Sequence, residues 1–167
     1  MSRAFVKEGT GELEPLPDLP ISPHPNYVTP RGLAGLRARL QARQADLAAL
    51  RARAERLDKL PEAAAERDIR YLEARLRSAI LVDPAAQDLS QVRFGHRVVA
   101  RIGDAVTAYE IVGEDEADAS LNRIAPQAPL ARALLGAEPG DLVVWRRPSG
   151  ALEIEILEIG LADPDAG

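Results

Sequence analysis

Two leucine-rich stripes, separated by a break at Asp58-Lys59-Leu60-Pro61, constrain this chain more than any other feature. The first stripe passes through Leu33, Leu36, Leu40, Arg43, Leu47, Leu50, Ala54 and Leu57, in steps that alternate between three and four. Residues at that spacing share one side of an α-helix and form a heptad seam. Thr29 suits the capping position and Pro30 the first helical turn, so the helix is predicted to start there and to end near Asp58–Leu60. The second stripe, Ala65, Ile69, Leu72, Leu76 and Ala79, stops before Asp83-Pro84. Two stripes with a short break between them predict an antiparallel helical hairpin. Arms of about 29 and 20 residues would be roughly 43 and 30 Å long, leaving the first arm to overhang. Arg43 interrupts the seam and is expected to extend its stem outward. Arg51 is expected to pair with Glu55 one turn away.

The flanks read differently. Prolines 15, 17, 20, 23 and 25 recur every two or three residues, which predicts an extended or disordered tail over residues 1–28. The hairpin then occupies 29–82. From 83 to 160 the pattern turns to strands: 92–95, 97–101, 105–112, 141–146 and 152–159, with a short helix from Pro129 to Leu135. Leu152, Ile154 and Ile156 alternate with Glu153 and Glu155, and Ile159 joins the apolar face only if the register slips. Residues 161–167 are expected to be a disordered tail. The fold class is therefore α+β, a helical hairpin followed by a small antiparallel sheet with one short helix.

Composition narrows the chemistry. There is no cysteine, so disulfides and thiolate metal sites are excluded, and a reducing, cytoplasmic setting is the natural expectation. His24 and His96 are the two histidines, too few and too far apart for a metal site. No apolar run approaches the ~20 residues that span a bilayer, and Met1–Phe5 carries no secretion signal. The net charge of −5 conceals a division. Residues 29–82 hold 12 basic and 7 acidic groups, whereas 83–167 hold 7 and 15. A basic arm beside an acidic domain suits a charged macromolecular partner, or else a helix merely solvated by its arginines.

The motifs in order are Asn26-Tyr27-Val28-Thr29-Pro30, the hairpin, Asp83-Pro84 and Val92-x-Phe94-Gly95. Then follow Tyr109-x-Ile111-Val112-Gly113-x-Asp115-Glu116-Ala117-Asp118, Pro129-Leu130-Ala131-Arg132-Ala133-Leu134-Leu135-Gly136, Gly140-Asp141 and Pro148-x-Gly150. Across roughly residues 26–159 this series resembles the GreA/GreB transcription elongation factors. The resemblance implies an FKBP-like β domain and a bacterial regulator that is not itself an enzyme. It implies RNA polymerase core as partner, with the β domain docked on the rim of the secondary channel and the coiled coil inside it. Docking would use the loop before the short helix, here Gln127, Ala128, Pro129 and Leu130, with alanine where the family usually has serine. Nascent RNA within the complex would be a further partner, and a monomer is expected.

The tip departs from that family. Cleavage-stimulating members present a Gly-Asp-Leu-Ser-Glu-Asn-Ala-like tip whose carboxylates help hold a shared Mg²⁺ in the polymerase active site. Here the tip reads Leu57-Asp58-Lys59-Leu60-Pro61-Glu62, about a heptad shorter on each arm, a loss of roughly 10 Å. Asp58 and Glu62 either replace the usual carboxylates, or end the first helix and favour the dipole of the second. The shortening is similar to the regulator-of-nucleoside-diphosphate-kinase branch. Arg37, Arg39, Arg43, Arg51, Arg53 and Arg56 form a basic helix face that either meets RNA and acidic polymerase walls or makes local ion pairs. A generic coiled-coil adaptor, or a prolyl isomerase with the same sheet, stands as the alternative class; the 4% aromatic content disfavours the isomerase.

Overall fold

The structure, a computed structural model, describes residues 14–163. Its first elements are a two-residue strand β1 (Tyr27–Val28), helix α1 (Pro30–Arg51), helix α2 (Leu60–Ser78) and strand β2 (Ile80–Leu81). The Thr29 hydroxyl accepts from the Gly32 N–H at 2.9 Å and Pro30 fills the first turn, as the capping pattern predicts. Val28, Leu36 and Leu72 are buried where the arms meet, with Leu33, Leu40, Tyr71, Leu76 and Ala79 packed around them.

The hairpin is shorter than its stripe. α1 stops at Arg51 rather than near Asp58–Leu60, so arms of 22 and 19 residues are nearly matched and nothing overhangs. Beyond Arg51 the helix would have no partner to pack on, because α2 begins only at Leu60. Leu57 is accordingly 94% exposed, and a helix without a packed face has little to sustain it. The seam arginine also departs from expectation. Arg43 bonds Asp68 on α2, with Nε at 3.1 Å, instead of extending away from the hairpin. Arg51 reaches across the arms to Glu66 at 2.6 Å and does not pair with Glu55.

The hairpin is closed at its base by main-chain pairing. β1 and β2 run parallel, Tyr27 opposite Ile80 and Val28 opposite Leu81. Residues 14–25 have no regular secondary structure. Residues 1–13 and 164–167, which hold part of each predicted tail, lie outside the described residues.

The second domain has strands β3 (His96–Ile102), β4 (Ala105–Ile111), β5 (Arg123–Ile124), β6 (Leu142–Arg147) and β7 (Gly150–Leu161), with helix α3 (Pro129–Leu134). The sheet order is β5-β4-β3-β7-β6. The sheet is mixed rather than wholly antiparallel, since β5 runs parallel to β4. The intervening chain turns back through Asn122, in the left-handed region at φ 54°. The strand expected over 92–95 is absent. Val92 is instead bracketed by main-chain bonds to Gly136 and Ala137, and Gly95 turns the chain with φ 88°. A register shift between Val99 and Ala100 supplies the slip anticipated in β7, and Ile154, Ile156 and Ile159 are all buried. Leu130, Ala131 and Leu134 of α3 complete this core with Val98, Ala100 and Ile111. No helix among the described residues is long and apolar enough to cross a membrane.

Candidate functional site

The hairpin meets the β domain through buried charge. The loop after β4 carries Glu114, Asp115 and Glu116, and all three carboxylates turn toward the hairpin base. Arg75, on the last turn of α2, is 1% exposed. Its Nε donates to Asp115 Oδ2 at 2.6 Å, and its Nη2 donates to Asn26 Oδ1 at 2.8 Å and to Glu114 Oε2 at 3.4 Å. The Tyr71 hydroxyl donates to the other Asp115 oxygen at 2.6 Å. Burial and that carboxylate push the Tyr71 phenol up to about 12. Glu116 accepts from the Thr29 hydroxyl and from Arg31 Nε, each at 2.6 Å. Arg31 continues to Glu110 on β4 at 2.5 Å. Gly113 permits the approach, because a Cβ there would stand 2.5 Å from the Tyr27 carbonyl oxygen.

These groups make one network around the junction, and a charge buried this deeply is tolerated only when each hydrogen-bonding position is met. Sequence reasoning placed 115–118 in an acidic loop. Arg31 reads from sequence as one of the basic residues of the first helix, facing RNA or acidic polymerase walls, but the structure commits it to Glu110 and Glu116, and Arg75 has no sequence assignment. The available signal was Arg75 following Leu72 by three residues, on the flank of the apolar stripe, in a chain with a Glu-Asp-Glu run elsewhere.

At the other end of the hairpin the two tip carboxylates are already engaged. Asp58 accepts from the Leu60 N–H at 2.9 Å, so it organises the start of α2 rather than the end of α1. Glu62 lies in the first turn of α2 with its side chain 7% exposed. Arg56 binds both its oxygens, Nε at 2.8 Å. The Arg56 guanidinium holds the Glu62 carboxyl below the usual carboxylate range, with Arg51 and Arg53 adding to the effect. Glu62 has both carboxylate oxygens taken by Arg56, and Asp58 keeps only its exposed Oδ2, a single ligand atom where Mg²⁺ asks for several oxygens. No cluster of three or more His, Asp or Glu side chains suited to a metal occurs among the described residues.

The predicted basic face divides. Arg43, Arg51 and Arg56 are paired with Asp68, Glu66 and Glu62, and Arg53 Nε donates to the Leu50 carbonyl at 3.3 Å. Arg37 and Arg39 remain exposed on the flank of α1. The loop before α3 presents less than the four residues assigned to it. Leu130 is 6% exposed and belongs to the core, Gln127 and Ala128 are half-buried, and Pro129 alone is exposed. The Gln127 Oε1 is buried without a hydrogen-bond partner, while the Ala128 N–H donates to the Ala125 carbonyl at 3.0 Å. With no side chain to cap it, α3 begins on Pro129.

Comparison with known proteins gives this geometry a context. Residues 86–160 match the family model described as the C-terminal domain of the transcription elongation factors GreA and GreB. The transcription elongation factor GreA of Pseudomonas putida is 41% identical over 97 residues, which are 56% of this chain and 61% of that protein. The transcription elongation factor GreB of Neisseria meningitidis serogroup A is 44% identical over 96 residues, 56% of this chain and 59% of its own. The match thus spans about three-fifths of the length of these curated relatives. A solved GreA/GreB structure from Nitrosomonas europaea is 23% identical, with a TM-score of 0.40, covering 81% of this chain and 98% of that one.

Proposed function

We propose, from the match of residues 86–160 to the GreA/GreB C-terminal domain and the 41% and 44% identity to GreA and GreB relatives, that this chain is a transcription elongation regulator of the GreA/GreB type that binds RNA polymerase at the secondary channel. The β domain docks through the exposed surface around Pro129, and the hairpin enters. The protein is not itself an enzyme. The buried lock between Arg75 and the Glu114–Glu116 loop carries this reading, because it joins the hairpin rigidly to the family domain. Docking one part then aims the other.

The tip supports a regulator that occupies the channel without stimulating transcript cleavage. Glu62 is bound at both oxygens by Arg56, with Arg51 and Arg53 also acting on it, and Asp58 gives one oxygen to the Leu60 N–H. Such a tip offers the polymerase's own metals one carboxylate oxygen in place of a pair of carboxylates.

Two measurements test the proposal. Purified protein should form a salt-sensitive complex with core polymerase and displace a cleavage-stimulating factor from it; no complex at low salt would refute polymerase binding. In stalled elongation complexes, the protein and its Asp58→Ala/Glu62→Ala variant should both leave the transcript uncut. Cleavage that needs those carboxylates would overturn the tip reading.

A further inference from the structure

The hairpin is not a free-standing pair of helices. Every residue of α2 from Glu62 to Leu76 is buried or half-buried, whereas α1 exposes most of its outer side, including Arg37, Arg39, Gln44 and Ala48. A helix in a bare two-helix arm should expose its outer face as α1 does. The cover on α2 is the proline-rich segment upstream of the hairpin.

That segment runs the length of α2. At its lower end Ser22 donates to Glu114 at 2.9 Å, beside the junction with the β domain. Midway, Arg70 holds it twice, Nε on the Asp18 carboxylate at 2.6 Å and Nη2 on the Leu16 carbonyl at 2.8 Å. Leu19 borders one hollow with Arg39, Arg43 and Tyr71, and another with Arg70, Glu73 and Arg77. At the upper end Pro15 borders a hollow of about 410 Å³ with Arg51, Arg56, Lys59, Glu62 and Glu66, at the hairpin tip. The lengths agree. The eleven steps from Pro15 to Asn26 at ~3.1 Å each reach about 34 Å, and the 19 residues of α2 rise about 28 Å. Its prolines have no N–H to satisfy and little backbone freedom to lose, which suits a strap lying on a helix without joining a sheet.

We infer that this strap is the third element of the arm, and that it delivers Glu14 and Pro15 to the hairpin tip. The inference rests on the reading that the tip enters the polymerase channel. The surface that meets the polymerase interior then comprises the turn at 52–59 together with the upper end of the strap. The shortened hairpin is thereby widened where its relatives would be longer.

The absence of cysteine makes the test direct. Single Glu14→Cys, Leu57→Cys and Val106→Cys variants, each carrying a photoactivatable crosslinker, are bound to core polymerase and the labelled polymerase segments identified. Glu14→Cys and Leu57→Cys should mark the same channel segment, and Val106→Cys on the β domain a different one. Adding Arg70→Ala, or Asp18→Ala, should cut the Glu14→Cys signal there severalfold and leave that of Leu57→Cys unchanged. A Glu14→Cys label on the segment marked by Val106→Cys, or one insensitive to both substitutions, overturns the inference. Should Leu57→Cys itself miss the channel, the proposed function fails, and the strap is judged without polymerase. Energy transfer between dyes at Glu14→Cys and Leu57→Cys should then exceed that between Glu14→Cys and Val106→Cys; the reverse order refutes it.

Discussion

Tyr71 and Arg75, one turn apart on α2, grip opposite oxygens of the Asp115 carboxylate, each at 2.6 Å. A helix of the hairpin and a loop of the β domain thus share a single buried anion. Removing one side strands the other. Arg75→Leu should destabilise the protein by about 3–5 kcal/mol, a fall in Tm on the order of 10 °C for a domain pair of this size. Combining it with Asp115→Leu should cost less than the two single changes together, because the pair is coupled. Thermal and urea unfolding of the three variants measure this; additive losses would show that the pair does not act as a unit.

Gly113 should tolerate no side chain. The Tyr27 carbonyl oxygen lies 2.5 Å from where a Cβ would stand. That oxygen belongs to β1 and cannot yield like the end of a flexible side chain. Gly113→Ala should therefore cost about 1–3 kcal/mol through overpacking, read as a lowered urea midpoint with an unchanged slope.

His96 should make the β domain acid-sensitive. It is wholly buried, its Nδ1 accepting from the Arg93 N–H at 3.1 Å. Burial pushes its pKa below the ordinary value, with Arg93 contributing in the same direction. The folded state therefore holds the neutral ring while the unfolded chain takes up a proton below about pH 6.5. The stability tied to this residue is complete above that pH and is lost as pH falls toward the depressed folded value. His96→Gln should flatten the difference in unfolding free energy between pH 7.5 and pH 5.5. An unchanged slope would assign the acid sensitivity elsewhere.

At the tip, Arg56→Ala should release Glu62. Its carboxyl should titrate at higher pH than in the parent, an upward shift visible in a carbon-detected NMR titration. A Glu62 signal that stays in place would mean that Arg51 and Arg53 alone hold it.

The parts of the fold legible in the chain were those that one residue's own chemistry decides. The Thr29-Pro30 start, the seam leucines and the alternation in β7 needed no knowledge of their neighbours. What escaped depended on partners distant in sequence. Seven good helix-forming residues after Arg51 are not helical, because α2 begins only at Leu60 and nothing covers Leu57. Arg75 resembles any surface arginine until Asp115, 40 residues later, arrives beside it. The parallel placement of β5 follows from the route of a loop, which strand patterning does not encode. At the tip, the same two carboxylates could be read as ligands or as structural groups; only the position of Arg56 separates the cases.

The β1–β2 clip has a consequence for engineering. The Ile80 N–H donates to the Asn26 carbonyl at 2.8 Å and the Val82 N–H to Val28 at 2.9 Å, so the chain leaves for the arm and returns from it at one fixed place. The arm is a detachable cassette on an invariant socket. Paired heptads could be spliced into both helices without disturbing a single residue of the β domain, making reach an adjustable dimension. The strap changes with it, since the cover that Pro15 gives the present tip would fall short of a lengthened one.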